Sequence, residues 1–371
     1  IEKDGYLTAN GTTLGADNGI GAAQILTILD SDLPCNIETV FTVSEETSMI
    51  GAINFDTGLL QGKHMLNLDG FEENTIIIES ACFYDIILKS KFRFRKSNKK
   101  HAFRIVLTGL LGGHSGFDID KNRGNASILL AHLLEKIEDI CIVNFVGGTK
   151  FNVIPSTAKC EFYTDISDEV VKEVSETFEK EMREQYSSLK IELEEIISDE
   201  EAIEETSSKK ILSSIMNFKH GVIFYNDENK PTTSINLGVV DLRQRIMKVG
   251  MRSSRVKEEK KCLELIKFYC NKNDLEMEII GHQPGFESAK DSELITTLLK
   301  SHPKELYKKD PSLKSMHVTV EVGFFKEKIQ DLEIAIISPE IIGAHTVDER
   351  VKIDSITTVN KWLDNFIREF E

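Results

Sequence analysis

The sequence lacks an excess of basic charge and lacks any long apolar run, and each absence argues against a class of function. It carries 45 lysines and arginines against 61 aspartates and glutamates, which gives a net charge of -16. Such a chain repels phosphate backbones and anionic lipid surfaces, so we expect no nucleic-acid or membrane partner. No run of about 18 apolar residues and no charged-then-apolar leader is visible. We therefore expect no membrane span, and the cytosol is the default compartment.

The sequence also lacks paired cysteines, and this spacing argues against two kinds of site. The six cysteines contain no C-x-x-C pair. This argues against a disulfide framework or a cysteine metal knot, so buried thiols in a reducing cell are expected. The chain further lacks an initiating methionine and opens with Ile1, from which we expect a segment upstream of it.

The length and the local patterns predict two domains, one interrupting the other. Residues 1–83 and 283–371 are expected to form an α/β domain around an α+β insert of residues 84–282. In the insert, predicted strands at 103–107 and 158–164 alternate with a helix at 170–186. The acidic stretch 192–205 is predicted as a solvated helix face, with a linker as the alternative. After residue 288 we predict a helix at 292–301, a strand at 332–337, a loop through His345 and a closing helix at 353–370.

Acidic residues follow two predicted strands near the amino terminus. After a predicted helix at 22–29, the apolar run 39–43 reads as a strand that ends at Glu45 and Glu46, and the run 65–68 reads as a strand that ends at Asp69. Loops at the carboxyl ends of strands in parallel α/β sheets are where ligand groups collect. This placement is typical of a functional site.

A set of potential metal ligands stands out once the chain is taken as a whole. Asp17, Glu45, Glu46, Asp69 and His345 are residue types that bind divalent transition metals. Singly, each has an ordinary structural explanation as a turn residue, a solvated charge or a surface histidine. Their joint placement on predicted loops and strand ends favours a metal site.

The ordered motifs resemble those of aminoacyl-histidine (Xaa-His, carnosine-cleaving) dipeptidases, which are co-catalytic zinc metallopeptidases. They are Thr12-Thr-Leu-Gly-Ala-Asp17-Asn-Gly-Ile-Gly21, Glu45-Glu46 with Gly51-Ala52, Leu66-Asn-Leu-Asp69, Gly112-Gly-His114-Ser-Gly116, Arg123-Gly-Asn-Ala126, Met251-Arg-Ser-Ser254, His317 to Gly323, and Gly343-Ala-His345. The resemblance covers nearly the whole chain. It implies an α/β zinc-peptidase-type catalytic domain, whose mixed sheet is flanked by helices, and a ferredoxin-like lid that is doubled at this size.

The resemblance also implies roles for the metal-binding residue types. Asp17 matches the carboxylate that bridges two metal ions, with a non-proline cis peptide bond to Asn18. Glu45 matches the general base, Glu46 and His345 match ligands of one metal, and Asp69 matches a ligand of the other. The implied reaction is hydrolysis of small peptides, Xaa-His dipeptides or a broader set, by water that two divalent ions activate. Zinc is the expected metal, with manganese and cobalt as alternatives.

Further residues match positions that contact the substrate in this family. His114 matches a lid histidine that stabilises the oxyanion. Asn152 and Arg252 match substrate contacts, and a purely structural role is an equal alternative for both. His317 and Glu321 match a His-x-x-x-Glu segment, although the intervening residues and Val322 depart from the family's pattern.

One family motif is missing from the sequence. None of the nine histidines has an aspartate two residues later, whereas the family's first metal motif is His-x-Asp. We expect that motif upstream of Thr12, and a catalytically inactive relative is the alternative. A tripeptide aminopeptidase, an amidohydrolase of the same superfamily and a non-catalytic metal-binding protein also stay open, as does a homodimer.

Overall fold

Two separate lengths of chain, Ile1–Ala81 and Gln283–Glu371, fold together into one unit, and the segment Cys82–His282 folds into another. This is a computed structural model that describes residues 1–32 and 34–370. The inserted unit begins slightly earlier than the insert of residues 84–282 expected from the sequence.

The first length of chain and the inserted unit contain the following elements. Up to Ala81 they are β1 (Glu2–Lys3), β2 (Tyr6–Thr8), α1 (Ala16–Leu29), α2 (Glu45–Ser48), α3 (Ile50–Asn54), a 3-10 turn (Thr57–Leu59), β3 (His64–Asn67) and β4 (Thr75–Ser80). They continue with β5 (Cys82–Lys89), β6 (Phe94–Arg95), β7 (His101–Thr108), β8 (Gly113–His114), α4 (Ala126–Glu135), β9 (Cys141–Gly148), β10 (Val153–Ile154), β11 (Ala158–Thr164), α5 (Asp168–Arg183), β12 (Lys190–Glu195), β13 (Ala202–Ile203), α6 (Glu205–Met216), β14 (Gly221–Tyr225), β15 (Pro231–Asp241), β16 (Ile246–Ser253), α7 (Val256–Lys272) and β17 (Glu276–Gln283).

The last length of chain completes the first unit. Its elements are β18 (Phe286–Glu287), α8 (Glu293–Ser301), α9 (Lys304–Tyr307), β19 (Ser312–Met316), α10 (Val322–Lys328), β20 (Glu333–Ile336), β21 (Ile341–Ile342), β22 (Arg350–Lys352) and α11 (Ile353–Arg368). The predictions for 158–164, 292–301, 332–337 and 353–370 are confirmed within a few residues.

The core of the first unit lies on both faces of a mixed sheet with the order β18-β4-β20-β3, in which β19 also pairs with β4. Strands β3 and β20 run parallel, whereas β4 runs antiparallel to β20. Ile76 and Ile78 pack with residues of α8 and α11, among them the fully buried Trp362. Ile77 points to the opposite face, where it packs with residues of α10. Because both faces are covered, β4 reads as a continuous apolar run, and the predicted sheet flanked by helices is confirmed.

A small antiparallel sheet in the same unit brings two distant loops together. Its order is β1-β2-β22-β21, and Tyr6 pairs with Lys352 and Thr8 with Arg350. The chain leaves β2 toward Asp17 and enters β22 from the loop that carries His345. This pairing therefore anchors both loops at the same edge.

The inserted unit consists of two ferredoxin-like repeats that share one sheet. Elements β7, α4, β9, β11, α5 and β12 follow one another as β-α-β-β-α-β, and their strands lie in the order β12-β7-β11-β9. Elements β5, α6, β15, β16, α7 and β17 form the second repeat, with the order β15-β16-β5-β17. Strands β9 and β15 join the repeats by antiparallel pairing. The doubled ferredoxin-like lid expected from the resemblance is thus confirmed, and the first repeat is inserted after the first strand of the second.

Two local predictions are wrong. Residues 39–43 form no strand, because no strand of the described chain pairs with them, and strand propensity alone does not form a ladder. The acidic stretch 192–205 is not a helix but contains the end of β12, where Ile191 and Leu193 are half-buried and Glu192 and Glu194 are exposed. Strand β12, which lies at the edge of its sheet, thus has the two-residue period of an edge strand.

The cysteines and the helices agree with the composition. All six cysteines are free thiols; five are buried and Cys35 is half-buried, as expected. Among residues 1–32 and 34–370, no helix is both long and apolar enough to span a bilayer.

Candidate metal centre and active site

Three predicted ligands, Asp17, Glu46 and His345, come together in the first unit. One ligand atom of each lies within 4.8 Å of the others. The Nε2 atom of His345 is 2.8 Å from Oδ2 of Asp17 and 3.1 Å from Oε2 of Glu46. The side chain of His345 is 62% exposed whereas that of Asp17 is 9% exposed, so the cluster is open to solvent on the histidine side.

The backbone at two of the three predicted ligands, Asp17 and His345, departs from regular structure. Asp17 was predicted just ahead of a helix; it lies in the first turn of α1, where it and Asn18 have non-helical dihedral angles and are joined by the expected cis peptide bond. Glu46 lies in the short helix α2 rather than at a strand end, because Ser44 has a left-handed φ of 58° that turns the chain. His345 also has a positive φ, 65°. Non-glycine residues in this region are uncommon and cluster at functional sites.

Glu349 holds the Asp17 turn in place, and the sequence analysis missed it. Its carboxylate accepts hydrogen bonds from the backbone N–H groups of Gly15 at 2.8 Å and Asp17 at 3.1 Å. The side chain is almost fully buried, at 1% exposed. Burial favours the neutral acid, but the backbone donors outweigh it and lower the pKa of Glu349. An ionised carboxylate thus positions the ligand loop.

Glu45 and Asp69 surround the ligand cluster with further negative charge. Burial, followed by repulsion from Glu46, Glu321 and Asp17, raises the pKa of Glu45 to about 7. Burial, followed by a hydrogen bond with Asp17, raises the pKa of Asp69 to about 8. Each shift means that the ionised form is disfavoured in the protein alone.

This environment fits a divalent cation. An imidazole nitrogen and several carboxylate oxygens are the donor set that zinc and related transition metals prefer. A cation among Asp17, Glu46 and His345 would offset the repulsion that raises the pKa of Glu45 and Asp69. It would lie where Nε2 of His345 faces the carboxylate oxygens of Asp17 and Glu46.

A glycine beside the cluster has a steric role. The backbone N–H of Gly51 donates to the carbonyl of Val43 at 3.1 Å. A Cβ at Gly51 would lie 2.5 Å from the backbone nitrogen of Val43. Only glycine allows α3 to approach the chain that leads into Glu45, while the next residue, Ala52, is buried in the core.

Glu321 lies on the same side of the first unit as the cluster. It accepts a hydrogen bond from Thr42 Oγ1 at 2.6 Å, and its charge contributes to the raised pKa of Glu45 and Asp69. His317 lies between β19 and α10, four residues earlier in the chain.

His114 lies in the inserted unit, in the short strand β8, which pairs antiparallel with β10. Its ring Nδ1 accepts a hydrogen bond from the backbone N–H of Gly116 at 3.1 Å, so the neutral ring carries its proton on Nε2. Burial, with the positive charge of Arg252 second, lowers the pKa of His114 to about 4. Glycine is required at position 113, because a Cβ on Gly113 would lie 2.5 Å from Oδ2 of Asp118. That oxygen accepts a hydrogen bond from the backbone N–H of His114.

Asn152 and Arg252 belong to the same local network as His114. The backbone N–H of Ser115 donates to the carbonyl of Asn152 at 2.9 Å, and Arg252 Nε donates to Ser115 Oγ at 3.3 Å. The guanidinium of Arg252 also stacks on the ring of Phe83 at 4.4 Å. Burial lowers the pKa of Arg252 to about 10. The predicted substrate residues of the inserted unit are thus adjacent to one another.

A family model described as peptidase family M20/M25/M40 matches residues 1–369 of the chain. The cytosol non-specific dipeptidase of Escherichia coli (strain K12) is 28% identical over 382 aligned residues, which cover 98% of this chain and 78% of that protein. The chain also resembles the crystal structure of aminoacylhistidine dipeptidase from Vibrio alginolyticus, with a TM-score of 0.85 and 26% sequence identity. The match covers 100% of this chain and 78% of that one. Aminopeptidase PepT from Bacillus cereus ATCC 10987 shares the fold, with 14% identity and a TM-score of 0.51 over 100% of this chain and 75% of that one.

Proposed function

Because the chain belongs to peptidase family M20/M25/M40, we propose that it is a metal-dependent dipeptidase whose ions are held by Asp17, Glu46, His345 and Asp69. The observation that carries this proposal is the convergence of Asp17, Glu46 and His345 within 4.8 Å. Glu45, a carboxyl whose pKa lies at about 7, is placed beside that cluster. The hydrolytic chemistry is assigned to the unit built from both ends of the chain.

The donor set supports one complete metal position and part of a second. Asp17, Glu46 and His345 would hold the first ion, and Asp17 together with Asp69 would hold the second. Divalent ions supply Lewis-acid polarisation of a peptide carbonyl and make water more acidic. Zinc is the proposed metal, since mixed imidazole and carboxylate ligation suits it, and manganese and cobalt suit the same donors.

Glu45 is the proposed general base. It follows Ser44 and precedes the ligand Glu46, so α2 presents two adjacent carboxyl groups of which only one is needed as a ligand. In this role Glu45 takes the proton of the attacking water and returns it to the departing amine. Cations held nearby would favour its ionised form, which is the form that accepts a proton.

The inserted unit is proposed to supply the groups that bind the substrate. His114 is assigned as the donor to the carbonyl oxygen, because its neutral ring carries the proton on Nε2. Arg252 and Asn152 are assigned to the free carboxylate end of the peptide, for which a guanidinium is well suited. His317 and Glu321 complete the proposed substrate contacts.

The proposed substrates are dipeptides with a free amino terminus. The Escherichia coli relative is named a cytosol non-specific dipeptidase and the Vibrio alginolyticus protein an aminoacylhistidine dipeptidase. These names support either a broad set of dipeptides or a preference for Xaa-His, and they support the cytosol as the compartment.

A substrate series tests the proposal. We expect the zinc-loaded protein to hydrolyse Xaa-His and other dipeptides with higher kcat/KM than tripeptides or N-acetylated dipeptides. A chelator should abolish turnover, and added zinc should restore it. Preference for a tripeptide or for an acylated amino acid would replace the dipeptidase assignment with an aminopeptidase or an amidohydrolase.

A further inference from the structure

A second group of metal-binding side chains lies in the inserted unit, which contains none of the residues assigned above as metal ligands. It consists of Cys82, Glu259 and His282, and we call it the thiol cluster. One ligand atom of each, the cysteine sulfur, a carboxylate oxygen and an imidazole nitrogen, lies within 4.8 Å of the others.

Three elements of the fold bring the thiol cluster together. Cys82 is the first residue of β5, and His282 lies near the end of β17, which is the neighbour of β5 in the sheet. Glu259 lies in the first turn of α7. Cys82 is buried, Glu259 is half-buried and His282 is exposed, so an ion could reach the sulfur from the solvent side.

Tyr84 orients two of the three side chains. Its hydroxyl donates to Oε1 of Glu259 at 2.7 Å. Its ring stacks on the ring of His282, with centroids 4.3 Å apart and an interplanar angle of 30°. Residues that fix the orientation of metal ligands in this way are a regular part of metal sites, and removing one costs about 10–100-fold in metal affinity.

The charges of the thiol cluster also suit a cation. The Cys82 sulfur and a carboxylate oxygen of Glu259 lie within 4.8 Å of each other, so a cation that replaces the thiol proton would meet a thiolate and a carboxylate. The released proton would pass to solvent. The positive charge of Arg252 acts on Cys82 as well. It favours the thiolate and opposes the cation, but the two negative ligands outnumber it.

We propose that Cys82, Glu259 and His282 form a separate site for one thiophilic divalent ion, zinc above all, with water as the fourth ligand. Zinc binds sulfur at about 2.3 Å and nitrogen or oxygen at about 2.0–2.2 Å in tetrahedral sites, which puts ligand atoms about 3.5 Å apart. Because the three ligand atoms lie within 4.8 Å of one another, the side chains need to close by no more than about 1.3 Å. This site goes beyond the proposed function and does not depend on it.

The position of the thiol cluster indicates what such an ion would do. Cys82 and His282 are the first and last residues of the inserted unit. An ion bound to both would tie the beginning of that unit to its end and to α7. Since the unfolded chain has no such preformed site, binding would stabilise the folded unit by mass action.

Cobalt(II) spectroscopy tests this site separately from the candidate active site. A thiolate bound to cobalt produces a near-ultraviolet charge-transfer band, and the assigned ligands Asp17, Glu46, Asp69 and His345 contain no sulfur. We expect the band to appear and saturate when the wild-type protein is titrated with cobalt. It should be absent in Cys82→Ser and unchanged in the matched control Cys35→Ser.

Two milder variants keep the test decisive if Cys82→Ser folds poorly. His282→Ala and Tyr84→Phe should both keep the fold, and each should weaken the cobalt affinity read from the band by about 10-fold or more. Dipeptide hydrolysis by the zinc-loaded variants should be unchanged. Absence of the band in the wild-type protein, its persistence in Cys82→Ser, or unaltered affinity in both milder variants would overturn the site.

Discussion

The candidate metal-ligand cluster of the first unit (Asp17, Glu46 and His345) and the polar groups around His114 in the inserted unit differ in how their charges are compensated. Around Asp17, carboxyl groups crowd together, and burial and mutual repulsion raise the pKa of Glu45 to about 7 and of Asp69 to about 8. Around His114, the polar groups satisfy one another through the backbone of Gly116 and the side chains of Asp118 and Ser115. On the proposed function, a cation would offset the repulsion in the first region, whereas the second is ordered by its own hydrogen bonds.

This difference predicts two kinds of contribution to the proposed catalysis. Changes in the first region should alter metal binding, the charge state of the base, or both. Changes in the second should alter turnover without altering metal content. The predictions below are ordered from the largest expected effect to the smallest.

Glu45→Gln should cause the largest loss. Removing a general base costs about 10²–10⁴-fold, and we expect the loss in kcat rather than in KM. Metal content, measured by elemental analysis, should stay at the wild-type value, because Glu46 and not Glu45 is the assigned ligand. The exposed control Glu305→Gln should behave as wild type, and near-normal kcat in Glu45→Gln would remove Glu45 from the mechanism.

His114→Ala tests the other side of the comparison. Loss of an oxyanion donor should lower kcat by about 10²–10³-fold, while metal content and Tm stay the same. The structural alternative is that the His114 ring only supports the turn after β8, by accepting the Gly116 N–H. In that case Tm would fall by the equivalent of about 1 kcal/mol and kcat would hardly change.

Glu349→Gln should weaken metal binding without touching a ligand. The neutral amide keeps the size of the side chain but loses the charge that holds the Gly15 and Asp17 N–H groups. A loss of about 10–100-fold in zinc affinity is expected, as for other residues that position metal ligands. Asp348→Asn, at an exposed neighbouring residue, is the control for removal of charge alone, and equal affinities in both variants would exclude the positioning role.

The smallest effect concerns the metal-free protein and its dependence on pH. The pKa of Glu45 is raised from 4.5 to about 7, so the folded state binds the proton more tightly than the unfolded state. That contribution to stability is present at low pH and is lost as pH rises through this window. Metal-free Glu45→Gln should therefore match wild type near pH 4.5 and exceed it at pH 8 by about 2–4 °C in Tm, the shift that about 1 kcal/mol produces. A wild-type Tm at pH 8 equal to or above that of the variant would show that repulsion at Glu45 is not destabilising.

Elements whose apolar residues repeat with a clear period could be predicted from the sequence. Segments that form a strand only beside a suitable neighbouring strand could not. The strand 158–164 and the closing helix at 353 carry their own apolar pattern and were confirmed. Residues 39–43 have strand propensity, but the described chain provides no ladder beside them. In β12 the abundance of glutamate concealed the two-residue alternation of Ile191 and Leu193.

The candidate site shows the same limit. Asp17, Glu46 and His345 were selected by residue type and by their motifs, and the structure places their ligand atoms together. Glu349 carries no recognisable motif, and its contact with Gly15 spans 334 residues along the chain. The thiol cluster was missed for the same reason. Cys82 and His282 become neighbours only through the order of strands in the sheet, and Glu259 joins them from helix α7.

Zinc binding to this chain in a Cys82→Ser background tests the central claim most directly, because the thiol cluster then contributes no ion. Asp17, Glu46 and His345 form a complete ligand set, so we expect about one tightly bound ion and a second that binds far more weakly. The tight ion should be lost in His345→Ala and retained in Glu45→Gln. Wild-type zinc affinity in His345→Ala, or loss of the tight ion in Glu45→Gln, would contradict the assignment of ligands and base.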